Sequence, residues 1–145
     1  MPIQKKVLII GIDGCRPDAL RTARTPNIDE LIEGGPHSFD AQTCALTKSG
    51  PSWASVLTGA WPNKHGGVNN SIEGARFDDH PHFFQRLREV RPDLYTASVV
   101  HWEPIHSKIV RGANQSMAYP TDEEVADAAI RLLADSKLDL LFLHF

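Results

Sequence analysis

The chain has 145 residues, 41% of them hydrophobic and 23% charged, and a formal net charge of −3. That length suits one domain with a real core, and the mild acidity excludes a broad nucleic-acid groove, which needs a basic face. Two cysteines, Cys15 and Cys44, are too few for a disulfide framework and lack the CxxC spacing of a zinc site, so they read as small half-buried side chains.

At the N-terminus Lys5 and Lys6 precede an apolar run that Asp13 and Arg16 interrupt at once, too short for a signal peptide. No stretch reaches the roughly 20 apolar residues that span a bilayer, and the expected location is cytoplasmic. Residues 7–12 are continuously aliphatic, which predicts a strand buried on both faces of a parallel sheet. Residues 25–35 predict a short helix capped by Thr25, with Pro26 at its first position and Gly34 and Gly35 ending it. Residues 37–45 suggest a second strand. Residues 51–57 read as a helix closed by Gly59, with Ser49 just before it, and residues 62–70 as a loop rich in Gly and Asn.

Phe83, Phe84, Leu87 and Val90 recur at helical spacing. Residues 94–102 read as a third strand, and 105–120 as an irregular excursion with one short strand. Thr121 and Glu124 form a capping box. The helix it opens carries Val125, Ala129, Leu132 and Leu133 on one face. Residues 138–145 close the chain as a central strand. Strands alternating with helices imply an α/β fold, a mostly parallel central sheet with helices on both faces.

Three loops hold the residues that carry chemistry. Asp13 ends the first strand, where a carboxylate is costly without a partner; a divalent cation is one such partner, and capping of the next turn is the alternative. Ser49 stands at a helix N-terminus, whose unpaired N–H groups and dipole favour an alkoxide or a phosphate, although taken alone plain helix capping is the commoner reason for a serine there. The 58–70 loop holds asparagines that can donate to an oxyanion or merely make a turn.

In order and spacing these segments resemble the alkaline phosphatase superfamily, in its phosphodiesterase and sulfatase branches. The resemblance rests on Ile12-Asp13-Gly14, Arg16-Pro17-Asp18, Thr25-Pro26-Asn27, Ser49-Gly50-Pro51, Leu57-Thr58-Gly59, Pro62 and His65-Gly66. It covers the first half of the chain; the second half agrees in its α/β pattern and in Val100-His101-Trp102. It is closest to the nucleotide pyrophosphatase/phosphodiesterase branch. The resemblance implies that Asp13 is a metal ligand and that Ser49 is the nucleophile and a ligand of the same metal. It further implies that Lys48 lies on the substrate side and that Asn70 holds a phosphoryl oxygen, with His65 structural. Two divalent metal ions, most often zinc, belong to such sites. The resemblance places their other ligands, an Asp-x-x-x-His after the last strand and later an Asp-His pair and a His, beyond residue 145. Residues 1–145 are therefore expected to be the N-terminal portion of an alkaline-phosphatase-like catalytic domain, incomplete as it stands. Most relatives of this type carry threonine where this chain has Ser49.

The expected function is metal-dependent hydrolysis of a small-molecule phosphate ester or nucleotide through a phosphoseryl intermediate. In it Asn70 and the backbone N–H after Ser49 stabilise the phosphoryl oxygens. One alternative is a sulfatase, whose nucleophile sits in a Cys/Ser-x-Pro-x-Arg context; here Trp53 stands at the arginine position. The other is a non-catalytic α/β fragment. Among the seven histidines, His80, His82, His101 and His106 are expected to serve surface or supporting roles. His144 is expected to be a satisfied core histidine, and Trp53 and Phe83 core aromatics. The oligomeric state is left open.

Overall fold

The structure, a computed structural model, describes residues 6–45 and 47–145; Lys5 of the N-terminal basic pair lies outside them. Four parallel strands form one sheet in the order β1 (Val7–Gly11), β4 (Leu138–His144), β2 (Tyr95–Val100), β3 (Gln115–Ala118). Parallel neighbours require crossovers, and helices provide them: α1 (Pro17–Thr22), α2 (Pro26–Gly34), α3 (Ser49–Thr58), α4 (Pro62–His65), α5 (Phe83–Val90) and α6 (Asp122–Leu133).

Strand β4 lies between β1 and β2, with residues 140–143 buried. Leu140 and Phe142 face one core with Ala54 and Leu57 of α3 and Phe84 of α5. Leu141 and Leu143 face the other, with Val125, Ala128, Ala129 and Leu132 of α6. Leu133, expected on that face, is 47% exposed, and Ala128 takes the place. One residue, Asp139, is extra in the β2–β4 register, and its carboxylate accepts the Tyr95 N–H at 2.8 Å.

Several expectations are corrected. Strand β1 is at the edge of the sheet, and Val7, Leu8 and Ile10 are about half exposed rather than buried on both faces. An apolar run marks a strand without saying how many neighbours it has. Residues 37–45 form no strand; the Ser38 hydroxyl accepts the Asp40 N–H at 3.1 Å, a local bond that competes with a ladder. Thr25 holds the N-cap position of α2 but donates its hydroxyl to the Asp29 carboxylate at 3.0 Å instead of capping backbone. Helix α1 was not anticipated; Pro17 opens it and the Thr22 hydroxyl returns to the Ala19 carbonyl. Helix α4 replaces part of the expected 62–70 loop and closes on Gly66 at φ 78°. Residues Ile105–Ile109 make a π-helical turn, with Val110 N–H donating to the Ile105 carbonyl at 2.8 Å. Half of the capping box forms: the Thr121 hydroxyl accepts the Glu124 N–H, and the Glu124 carboxylate accepts that hydroxyl. Cys15 is exposed and Cys44 buried, not two alike.

Candidate active site

The carboxyl ends of β1, β4 and β2 lie side by side, Gly11 opposite His144 and His144 opposite Val100. In open parallel sheets this edge is where ligands bind. Two further bonds extend the ladder beyond the strands: Phe145 N–H to the Gly11 carbonyl at 3.0 Å and Asp13 N–H to the Phe145 carbonyl at 2.9 Å. They fix the Asp13 backbone at the rim. Gly14 follows at φ 69°, a conformation that favours glycine.

Helix α3 starts at Ser49, two residues earlier than expected, with Lys48 at its N-cap. Ser49 caps nothing: its hydroxyl donates to Asp13 Oδ2 at 2.7 Å. One turn on, Trp53 Nε1 donates to the same oxygen at 3.3 Å, since residues four apart share a helix face. The indole lies across Gly11, where a Cβ would come within 2.2 Å of it. Any side chain at position 11 would push Trp53 off the carboxylate. Burial acts to raise the Asp13 carboxyl, but the bonds from Ser49 and Trp53 and the neighbouring His144 outweigh it, and it is held below its ordinary value.

Asn70 is tied to the same helix start. Its Oδ1 accepts the Gly50 N–H at 2.9 Å, which leaves its Nδ2 as the donor. The N–H after Ser49, expected to serve a phosphoryl oxygen, is thus spent on Asn70. This approach needs Gly50, because a Cβ there would stand 2.3 Å from the Asn69 carbonyl oxygen. Lys48 is exposed and, with Arg16, Asp13 and Ser49, lines a cavity of about 720 Å³. Leu20, Ile28 and Ile32 of α1 and α2 line it as well.

His65 is structural, as expected. It is fully buried, its Nδ1 accepts the Gly67 N–H at 3.0 Å, and its Nε2 therefore donates to Ser55 Oγ at 3.0 Å. Ser55 in turn donates to the Pro51 carbonyl. This chain of bonds clamps α4 to α3. The other histidines make local contacts: His101 with Asp122, His106 with Ser116, and His82 accepting the Arg111 N–H. Among the described residues no three His, Cys, Asp or Glu side chains gather as a cation site.

Two residues near the carboxylate were undervalued. Trp53 packs on the core and also reaches Asp13; its spacing from Ser49 was the available signal. His144 is not a satisfied core histidine. It is 3% exposed and neither ring nitrogen has a hydrogen-bond partner, while Nε2 points at Asp13 Oδ2 from 3.8 Å. That is too far for a hydrogen bond. Burial pushes its imidazole below the ordinary value. Phe83 is a core aromatic, stacked on Phe84.

A parallel α/β sheet carries a serine–carboxylate pair at its carboxyl edge. The sequence profile described as type I phosphodiesterase / nucleotide pyrophosphatase matches residues 7–129, and the chain belongs to that family. Human bis(5'-adenosyl)-triphosphatase ENPP4 is 26% identical over 122 residues, 84% of this chain and 26% of the relative. Rat ectonucleotide pyrophosphatase/phosphodiesterase family member 3 is 34% identical over 71 residues, 48% of this chain and 8% of the relative. The chain thus spans about a quarter or less of these relatives. The solved structure of murine ectonucleotide pyrophosphatase/phosphodiesterase 5 superposes with a TM-score of 0.77 at 18% identity, covering 97% of this chain and 43% of that one. It shares the fold, alkaline-phosphatase-like as expected.

Proposed function

We propose that this chain carries the nucleophile half of a phosphodiesterase site, acting on phosphate-ester or nucleotide pyrophosphate bonds through a phosphoseryl intermediate on Ser49. The observation that carries the reading is the 2.7 Å bond from Ser49 Oγ to Asp13 Oδ2 at the carboxyl edge of the sheet. It takes Ser49 out of helix capping and holds its hydroxyl beside an ionised carboxylate. Membership of the family supports the class of reaction.

Asp13, held below its ordinary value, is a weak base, so it orients the hydroxyl rather than keeping its proton. Ser49 Oγ attacks phosphorus, the Oγ–P bond forms as the bond to the leaving oxygen breaks, and the serine proton passes to solvent. Asn70 Nδ2, aimed by the Gly50 bond, donates to a phosphoryl oxygen. Lys48 and the α3 N-terminus supply positive potential. Water then cleaves the phosphoseryl ester and restores the hydroxyl.

The donors suit a hard or borderline divalent cation such as zinc: a carboxylate and a serine oxygen 2.7 Å apart, the carboxylate 40% exposed toward the cavity. Asp13 and Ser49 would hold it, and when bound it lowers the pKa of the serine hydroxyl and offsets developing charge. The test is hydrolysis of bis(p-nitrophenyl) phosphate with zinc or manganese, followed by acid quench and mass analysis of the Ser49 peptide. Phosphate on Ser49 and loss of turnover in Ser49→Ala are expected. Turnover that survives Ser49→Ala removes Ser49 as nucleophile.

A further inference from the structure

We propose that His144 is a positioning residue for Asp13: its Nε2–H takes the place on Asp13 Oδ2 that the Ser49 hydroxyl leaves when the nucleophile turns to phosphorus. The inference rests on the reading of Ser49 as nucleophile. In the structure Oδ2 accepts two bonds, one from Ser49 and one from Trp53. When Ser49 turns to phosphorus its hydroxyl leaves Oδ2, which then keeps a single donor, Trp53 Nε1.

Among the described residues, His144 is the buried polar group that points at that oxygen without a partner of its own. Its burial in a fully formed core makes its two unpaired nitrogens costly, a cost that a mere packing role would avoid with Phe or Leu. The ring is held edge-on to the Trp53 indole, centroids 4.7 Å apart, and the β4 backbone is fixed on both sides by its neighbours in the ladder. Closing from 3.8 Å to a hydrogen bond needs a shift of about 1 Å. Carboxylate and imidazole then stay locked in one geometry while Ser49 moves to phosphorus. Neutral imidazole can donate from Nε2 only if Nδ1 is unprotonated, so the proposal fixes the tautomer.

The direct test is long-range proton–nitrogen NMR of the histidine rings in the wild-type chain at pH 7.5. The Nε2–H tautomer is expected for His144, with its nitrogen signal displaced in Asp13→Ala. An Nδ1–H tautomer, or a signal indifferent to Asp13→Ala, overturns the proposal; neither readout depends on a cation or on turnover. The second test compares His144→Phe with His144→Gln, whose amide also donates. His144→Phe is expected to lower kcat and zinc affinity on the order of tenfold, as loss of a group that orients a ligand does. KM should stay near wild type, and His144→Gln should recover most of the loss. Equal behaviour of the two variants assigns His144 to packing alone. If Ser49→Ala stays active while the tautomer is Nε2–H, the nucleophile assignment has failed and the Asp13–His144 contact has not.

Discussion

Asp13 Oδ2 is the point on which the site converges. A serine hydroxyl, an indole N–H and a buried imidazole all approach one oxygen, and the carboxyl group stays ionised at neutral pH because hydrogen bonds outweigh its burial. Asp13→Asn keeps the shape and removes the charge. The expected result is weaker zinc binding together with a lower rate, and zinc affinity equal to wild type in a competition titration would contradict the ligand assignment. Gly50 tests a different link. Gly50→Ala leaves every polar group in place but forces the Asn69–Asn70 backbone away from α3. A fall in kcat of one to two orders of magnitude is expected, approaching the roughly 2.7–4 kcal/mol that loss of an oxyanion donor costs. Wild-type kcat in Gly50→Ala would return Asn70 to the role of a turn residue.

The elements show which features a sequence displays. Periodicity and caps marked α2, α5, α6, β2 and β4 because each is defined locally: Thr121 and Glu124 sit three apart whatever surrounds them. Neighbour count is not local. Val7, Leu8 and Ile10 look like a buried strand, yet among the described residues β1 pairs with β4 alone. The pair Asp13 and Ser49 was legible through motif order, whereas Trp53 and His144 were not, since aromatic and histidine positions on apolar faces look alike in core and site. Buried histidines also set the acid behaviour of these elements. His82 joins the start of α5 to Arg111, and burial pulls it from 6.5 to about 4. Its folded value lies below its unfolded value, so the unfolded chain binds the extra proton. Stability is therefore complete above about pH 6.5 and falls as pH drops towards 4. That shift amounts to roughly 3 kcal/mol for His82, and His65 and His144, also lowered chiefly by burial, act in the same direction. Urea midpoints at pH 7 and pH 4.5 measure the slope, and His82→Gln should flatten it. An equal slope in His82→Gln would exclude His82 as its source.

For the molecule as a whole, stability is unevenly distributed around the site. The sheet and α6 hold most of the buried side chains, whereas α1 and α2 bury none. Yet Leu20, Ile28 and Ile32 of those two helices line the cavity that Ser49 also lines. One part of the lining is thus rigid, built on α3 and the strand ends, and another is drawn from the least anchored part of the fold. Segments with few buried contacts open at low free energy. Hydrogen exchange followed by mass spectrometry is expected to show residues 17–34 exchanging at least a hundredfold faster than β2 and β4, on the order of a 3 kcal/mol difference in opening. A phosphate analogue such as vanadate, bound at Ser49, should slow exchange at the start of α3 while leaving 17–34 fast, because the rigid part carries the polar contacts. Protection of 17–34 equal to that of β4 in the free chain would show that this segment is anchored by more than its buried side chains, and the division into rigid and yielding parts would fall.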